Sequence, residues 1–207
     1  MRTLKLLGSM CLVVLLQACA SMGKDQCQNA DWRTIGYEDG AHGLSPEAIG
    51  QHRRDCAKYG VTPDLNAYLS GRNEGLREFC KPDNGFQVGQ SGRGYSGVCP
   101  KDLEAAFLDA YQTGHQLYAL RSALSHVDAQ LNARERELSS VKHRIIEKSA
   151  LLVDEKTTTK ERIDLLSDIN DLNNRKDRLR HEIANLRQAR AANAADLDAF
   201  QRSLAGG

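Results

Sequence analysis

Four cysteines, Cys27, Cys56, Cys80 and Cys99, and two histidines, His42 and His52, are the residue types in the first half of the chain that could do chemistry. Cys27, His42, His52 and Cys56 can be written as a zinc set, with His52 and Cys56 one helical turn apart on a common face. No C-x-x-C spacing accompanies them, and in an exported chain the same cysteines are expected to oxidise rather than to bind metal. A cysteine held in a disulfide is no nucleophile either, because the attacking species is the free thiolate. Glu38, Asp39 and Glu74 are carboxylates beside glycine pairs, and two that converge could divide acid and base roles. The ordinary use of such residues is to cap helices or to pair with cations such as Arg53, Arg54 and Arg72. The run Gly92-Arg93-Gly94-Tyr95-Ser96-Gly97 satisfies G-x-G-x-x-G. A dinucleotide site needs a strand before that run, a helix directly after it and an acidic residue about twenty further on. Here the run lies between Cys80 and Cys99 and reads as a glycine-rich loop closed by a disulfide. No Ser-His-Asp order, metalloprotease helix or phosphate loop is present. Asp39 and Glu74 are the residues put forward as catalytic candidates, and neither metal nor cofactor is expected.

The elements that must position these residues begin after a targeting segment. Arg2 and Lys5 give a positive start, and Leu6 to Leu16 give an apolar core too short to span a bilayer. Leu16-Gln17-Ala18-Cys19 resembles the bacterial lipobox, which implies cleavage before Cys19 and lipidation of that residue. The other reading is an ordinary secretory signal cut after Ala18 or Ala20. Ala20 is not the aspartate that retains enteric-type lipoproteins at the inner membrane, so the expected location is the outer membrane, on its periplasmic side. Without residues 1–18 the chain keeps 26 of its 28 basic residues against 27 acidic ones. That balance gives no electrostatic case for nucleic acid. The even set of four cysteines predicts two disulfides. Of three possible pairings, Cys27–Cys56 with Cys80–Cys99 closes the shortest loops.

Residues 19–30 read as a lipid-proximal tether and 31–118 as a compact head. Asp31 is expected to cap a helix from Trp32 to near Gly43. Ser45-Pro46-Glu47 signals a second start, with that helix running to Tyr59, and Thr62-Pro63-Asp64 a third, running to about Cys80. Asn84-Gly85 reads as a tight turn, and Phe86, Val88, Tyr95 and Val98 as two short extended pieces. Asp102 is expected to cap the last helix of the head. Gly36…Gly40, Gly71…Gly75 and Ala110…Gly114 each set small residues four apart, with Trp32, Tyr68 and Phe107 three or four residues earlier. A helical glycine costs about 1 kcal/mol against alanine, so its repeated use points to close helix–helix contact. Three helices packed through small faces are expected. Ten of the eleven aromatic residues lie at or before Tyr118.

Trp32, Gly36-Tyr37-Glu38-Asp39-Gly40, His52, Cys56, Gly60-Val61-Thr62-Pro63-Asp64, Tyr68, Gly71, Glu74-Gly75, Cys80, Asn84-Gly85-Phe86, Gly89 and Tyr95-Ser96-Gly97-Val98-Cys99-Pro100 occur in an order that resembles the domain-of-unknown-function family two-seven-nine-nine, found in Gram-negative lipoproteins. The resemblance covers about Cys27 to Tyr118. It implies a location and an architecture and carries no assigned activity.

From residue 119 to 204 the chain keeps one heptad pattern. Leu120, Leu124, Val127, Leu131, Leu138, Val141, Ile145 and Leu152 alternate spacings of three and four, and Leu165, Ile169, Leu172, Leu179, Ile183, Leu186, Leu197 and Leu204 resume it. A 3.5-residue repeat of this length specifies a coiled-coil seam. The break near 154–160 carries a capping box, Thr158 with Glu161, that restarts a helix. Folding there pairs positions whose numbers sum to about 314, such as Ile145 with Ile169, so the chain can close its own seam. Arg134, Lys148, Lys176, Arg190 and Asn193 at seam positions are expected to set register. The fold class is therefore mainly α: a small disulfide-stapled helical head with a glycine-rich loop, followed by a long antiparallel coiled-coil hairpin, monomeric in preference to a parallel dimer.

These features point to a membrane-tethered envelope protein acting as a non-enzymatic scaffold or adaptor with a protein partner. The alternatives are an envelope hydrolase or wall-binding protein using Asp39 and Glu74, and a coiled-coil regulator of a wall-remodelling enzyme.

Overall fold

The structure, a computed structural model, describes residues 21–206; the leader and Cys19 lie outside them. Seven helices and no strand occur among the described residues: α1 (Lys24–Gln28), α2 (Trp32–Ala41), α3 (Ala48–Ala57), α4 (Leu65–Phe79), α5 (Pro82–Gln90), α6 (Lys101–Leu152) and α7 (Thr159–Ala205). The chain forms two compact units. Residues 21–85 with Tyr95–Asp109 make the first, and Phe86–Gly94 with residues 110–206 make the second.

In the first unit the main contact is the crossing of α2 with α4. A β-carbon on Gly36 would lie 2.0 Å from the carbonyl oxygen of Tyr68, and one on Gly40 would lie 2.2 Å from that of Arg72. Reciprocally, β-carbons on Gly71 and Gly75 would lie 1.9 and 2.0 Å from the carbonyl oxygens of Arg33 and Tyr37. Numbers rise together along both helices, so the two run parallel. Backbones this close gain Cα–H···O contacts that no larger residue permits. The Cys27–Cys56 disulfide staples α1 to α3. Its two cysteines belong with Trp32, Ile49 and Tyr68 to one buried cluster. The Cys80–Cys99 disulfide encloses the second glycine-rich stretch, beside the Phe79–Phe107 and Tyr95–Phe107 ring pairs at 5.3 and 4.9 Å.

The same contact pattern is built a second time by α5 and α6. In the first unit Gly85 faces the Phe107 carbonyl; in the second, Gly89 faces that of Tyr111 and Gly114 that of Phe86. Gly92, with φ +73°, lies under the Tyr118 ring as Gly43, with φ +68°, lies under Phe79. Gly36, Gly40, Gly43, Tyr68, Gly75 and Phe79 thus have counterparts in Gly85, Gly89, Gly92, Phe107, Gly114 and Tyr118. Two copies of one supersecondary unit account for the spacing of the glycines.

Several expectations are corrected here. Residues 82–90 are helical, not a turn with extended pieces, because Pro82 opens a helix whose glycines fit against the α6 backbone. The close-packed helices are four rather than three. Asp31 does cap α2, accepting from the Arg33 and Thr34 amides. The α3 start slips to Ala48, after a turn in which the Ala48 amide donates to the Ser45 carbonyl, and the helix stops at Ala57 rather than Tyr59. Asp64, not Thr62, caps α4, with its carboxylate accepting from the Ala67 amide. Asp102 lies inside α6 and pairs with Arg77 at 3.1 Å; the Pro100 carbonyl takes the Leu103 and Glu104 amides instead.

In the second unit α6 and α7 pack as an antiparallel hairpin whose seam buries Val141, Leu172, Leu179 and Ile183, with Leu138 and Ile145 alongside. Cross-helix pairs Lys148–Asp168, Glu137–Arg175, Arg134–Glu182 and Asp128–Arg190 fix a register close to the one expected from the seam. The capping box of Thr158 and Glu161 is formed. Beside it the Arg162 guanidinium donates to the carbonyls of Leu152, Asp154 and Thr157 and so caps the free end of α6.

Candidate functional site

Asp39 is the centre of the polar cluster in the first unit. Residue 39 follows Gly36 by about one helical turn on α2, and it is buried at 8% exposure. Its Oδ2 accepts from the Tyr68 hydroxyl at 2.7 Å and from His52 Nε2 at 2.9 Å. The His52 ring in turn stands against Trp32 and Tyr68, with centroids 6.4 and 6.2 Å apart. Burial, and then the Asp39 carboxylate, push the Tyr68 phenol well above its ordinary range, so it is held as a proton donor. Arg72, at 6% exposure, donates from Nη2 to the Leu44 carbonyl at 2.8 Å. Its buried Nε has no hydrogen-bond partner.

The sequence singles out Asp39 and Glu74 together, and the structure does not bring them into one cluster. Glu74 is half exposed and pairs with Arg33 at 2.6 Å, whereas Asp39 is occupied by Tyr68 and His52. Glu38 is exposed and lies 3.9 Å from His42. Cys27 and Cys56 are bonded to each other, His42 is on the surface and His52 is bound to Asp39. No group of three or more metal-ligating side chains occurs among the described residues. The G-x-G-x-x-G run spans the end of the α5 region and the Cys99 loop, with no strand before it.

The sequence names Tyr68 as a crossing aromatic and Arg72 as a pairing cation but does not mark them as buried members of a polar cluster, and it does not mark Asp55 at all. Asp55 is buried at 4% exposure and accepts from the Met22 amide and from the Gln51 side chain. A signal for the first two exists in the duplication. Where the first copy has Asp39, Tyr68 and Arg72, the second has Val88, Phe107 and Tyr111, so the architecture itself does not require the polar set.

In the second unit the notable feature is the turn end of the hairpin. Ile146, Leu151, Val153, Ile163 and Leu166 are exposed there, between 53% and 76%. A groove on one side is lined by Leu151, Leu165, Asp154, Lys156, Thr157, Glu161, Asp164 and Asp168. Hydrogen bonds from Thr158 hold the Glu161 carboxyl below its usual range, so it is charged at neutral pH. None of the described helices is long and apolar enough to cross a membrane.

Disulfide-stapled helix pairs crossing through glycines, with a helical hairpin following, define an all-helical class of protein. Residues 31–116 match the family described as protein of unknown function (DUF2799). No curated protein and no solved structure matches the chain.

Proposed function

We propose that this protein is a lipid-anchored component of the Gram-negative envelope that works as a non-enzymatic adaptor through its helical hairpin. The observation that carries the reading is that the hairpin closes its seam within one chain. With Val141, Leu172 and Leu179 buried against each other, the outer faces and the turn end are left for another molecule. The lipobox ending at Cys19 supports an anchor, with the outer membrane as its place because Ala20 follows. Several acyl chains on one residue hold a protein stably, each buried methylene contributing about 0.8 kcal/mol. In-cell cross-linking from positions along α6 and α7, followed by purification, should trap a protein partner. If nothing is trapped from any position, the adaptor reading fails. Inhibition of signal peptidase II should retain the unprocessed form, and unchanged mobility and membrane fraction would remove the anchor.

A second reading is favoured by the polar set of the first glycine crossing, which the second copy does without. In that reading the Asp39 cluster serves a wall-derived or other polar ligand. Asp39→Asn should then reproduce the phenotype of a deletion while the fold is retained; a wild-type phenotype ends it.

A further inference from the structure

The two sides of the hairpin at its turn end differ in chemistry, and the antiparallel register says why. Residues one step after the seam on both helices look to one side, and those one step before it look to the other. Ile146, Ile163 and Leu166 follow the seam positions Ile145, Arg162 and Leu165. Leu151, Glu161, Asp164 and Asp168 precede Leu152, Arg162, Leu165 and Ile169, and they line the groove. That groove therefore has an aliphatic floor, Leu151 and Leu165, and four carboxylates against one lysine, Lys156. Glu161 is engaged by Thr158, Asp154 by the Lys156 amide and Asp168 by Lys148 at 2.5 Å. Asp164 has no ion pair or hydrogen bond among the described residues. At about 430 Å³ the groove has room for side chains of one face of a helix. Leu151 is left 53% exposed in it.

We infer that this groove docks a cationic amphipathic helix of a partner protein, with an aliphatic side chain on Leu151 and Leu165 and a lysine or arginine at Asp164. The inference rests on the adaptor reading and names the chemistry of its partner. Charge complementarity selects this occupant. A second copy would bring its own carboxylates against these, and an anionic lipid surface would be repelled. Helix-in-groove docking uses apolar anchors for affinity and rim charges for choice of partner.

The test is calorimetric titration of the purified protein with a synthetic leucine/lysine amphipathic helix of about five turns, and with its leucine/glutamate counterpart. The lysine peptide should bind, more weakly as salt rises, and the glutamate peptide should not. Asp164→Asn should weaken binding by about three- to fivefold and Leu151→Ser by about tenfold or more, with the thermal midpoint of the helical signal unchanged. Equal binding of both peptides, or binding indifferent to both substitutions, overturns the inference. So does absence of peptide binding together with Ile163-dependent sedimentation on phosphatidylcholine vesicles, which would make the turn end a lipid-inserting element. Partner cross-links obtained only from positions far from the turn would preserve the adaptor reading while removing this groove from it.

Discussion

Asp39 Oδ2 accepts two hydrogen bonds in a place where the second copy of the fold carries a valine. Removing only the acceptor strands the Tyr68 hydroxyl and the His52 N–H. Asp39→Ala is expected to cost about 1–3 kcal/mol in chemical denaturation. The pair Asp39→Val with Tyr68→Phe, which copies the second crossing, should cost less than the sum of its single changes, because no orphan group remains. Tyr68 also sets an alkaline limit. Its folded pKa is raised above the unfolded value near 10, so native protein holds the proton more tightly than unfolded chain. Stability from this group is complete below about pH 10 and falls as pH rises above that value. Tyr68→Phe should abolish this part of the alkaline loss, as followed by tyrosinate absorbance and helical signal together. Residue identity alone marked Asp39. It could not mark Tyr68 and Arg72 as buried polar residues, because their burial follows from a crossing whose second helix lies about thirty positions away.

At the scale of elements, the glycines divide into two kinds with opposite expected responses. A β-carbon at Gly71 would sit 1.9 Å from a backbone carbonyl, which cannot move without its helix. Gly71→Ala should lower stability by about 3 kcal/mol or more. Gly50, inside α3, would meet only the far end of the Arg54 side chain at 3.6 Å. Gly50→Ala should stabilise by about 0.5–1 kcal/mol in the same denaturation measurement, since it loses only the entropic cost of a helical glycine. The small-residue spacing of α2, α4 and α6 was readable in the sequence, and with it close helix–helix contact, but not that α6 takes α5 as its partner. The helix Pro82–Gln90 was not, because Asn84-Gly85 is also a common hairpin turn signal. Local chemistry favoured the turn; the fit of Gly85 and Gly89 against α6 favours the helix, and that fit is tertiary. Register in the hairpin was legible for the reason register usually is: the seam has one alignment that buries its aliphatic residues. The Arg162 clasp on three carbonyls was not, since its acceptors are backbone groups of Leu152, Asp154 and Thr157 that only the folded turn brings to it.

For the molecule as a whole, the hairpin's ion pairs predict sensitivity to acid. Hydrogen bonds from Arg175 and then Arg134 hold the Glu137 carboxyl below its ordinary range. With a folded pKa below the unfolded one, Glu137 contributes stability above the ordinary carboxylate range and loses it as pH falls through the lowered value. The hairpin's thermal transition should move down over that acid window, and Glu137→Gln should flatten the shift. Both disulfides belong to residues at or before Cys99, with loops of 29 and 19 positions. Each is expected to stabilise by about 3 kcal/mol on the chain-entropy account, so reduction should lower the midpoint of the first unit far more than that of the hairpin.

The distribution of aromatic residues gives the two units separate optical voices. Trp32 is the single tryptophan, and it belongs to the same buried cluster as Cys27 and Cys56. Cystine quenches indole emission at short range, so the emission of this protein is expected to rise on reduction. The far-ultraviolet signal comes mostly from α6 and α7, of 52 and 47 residues. Fluorescence will therefore follow the neighbourhood of one disulfide and circular dichroism the hairpin, and the two melting curves need not coincide.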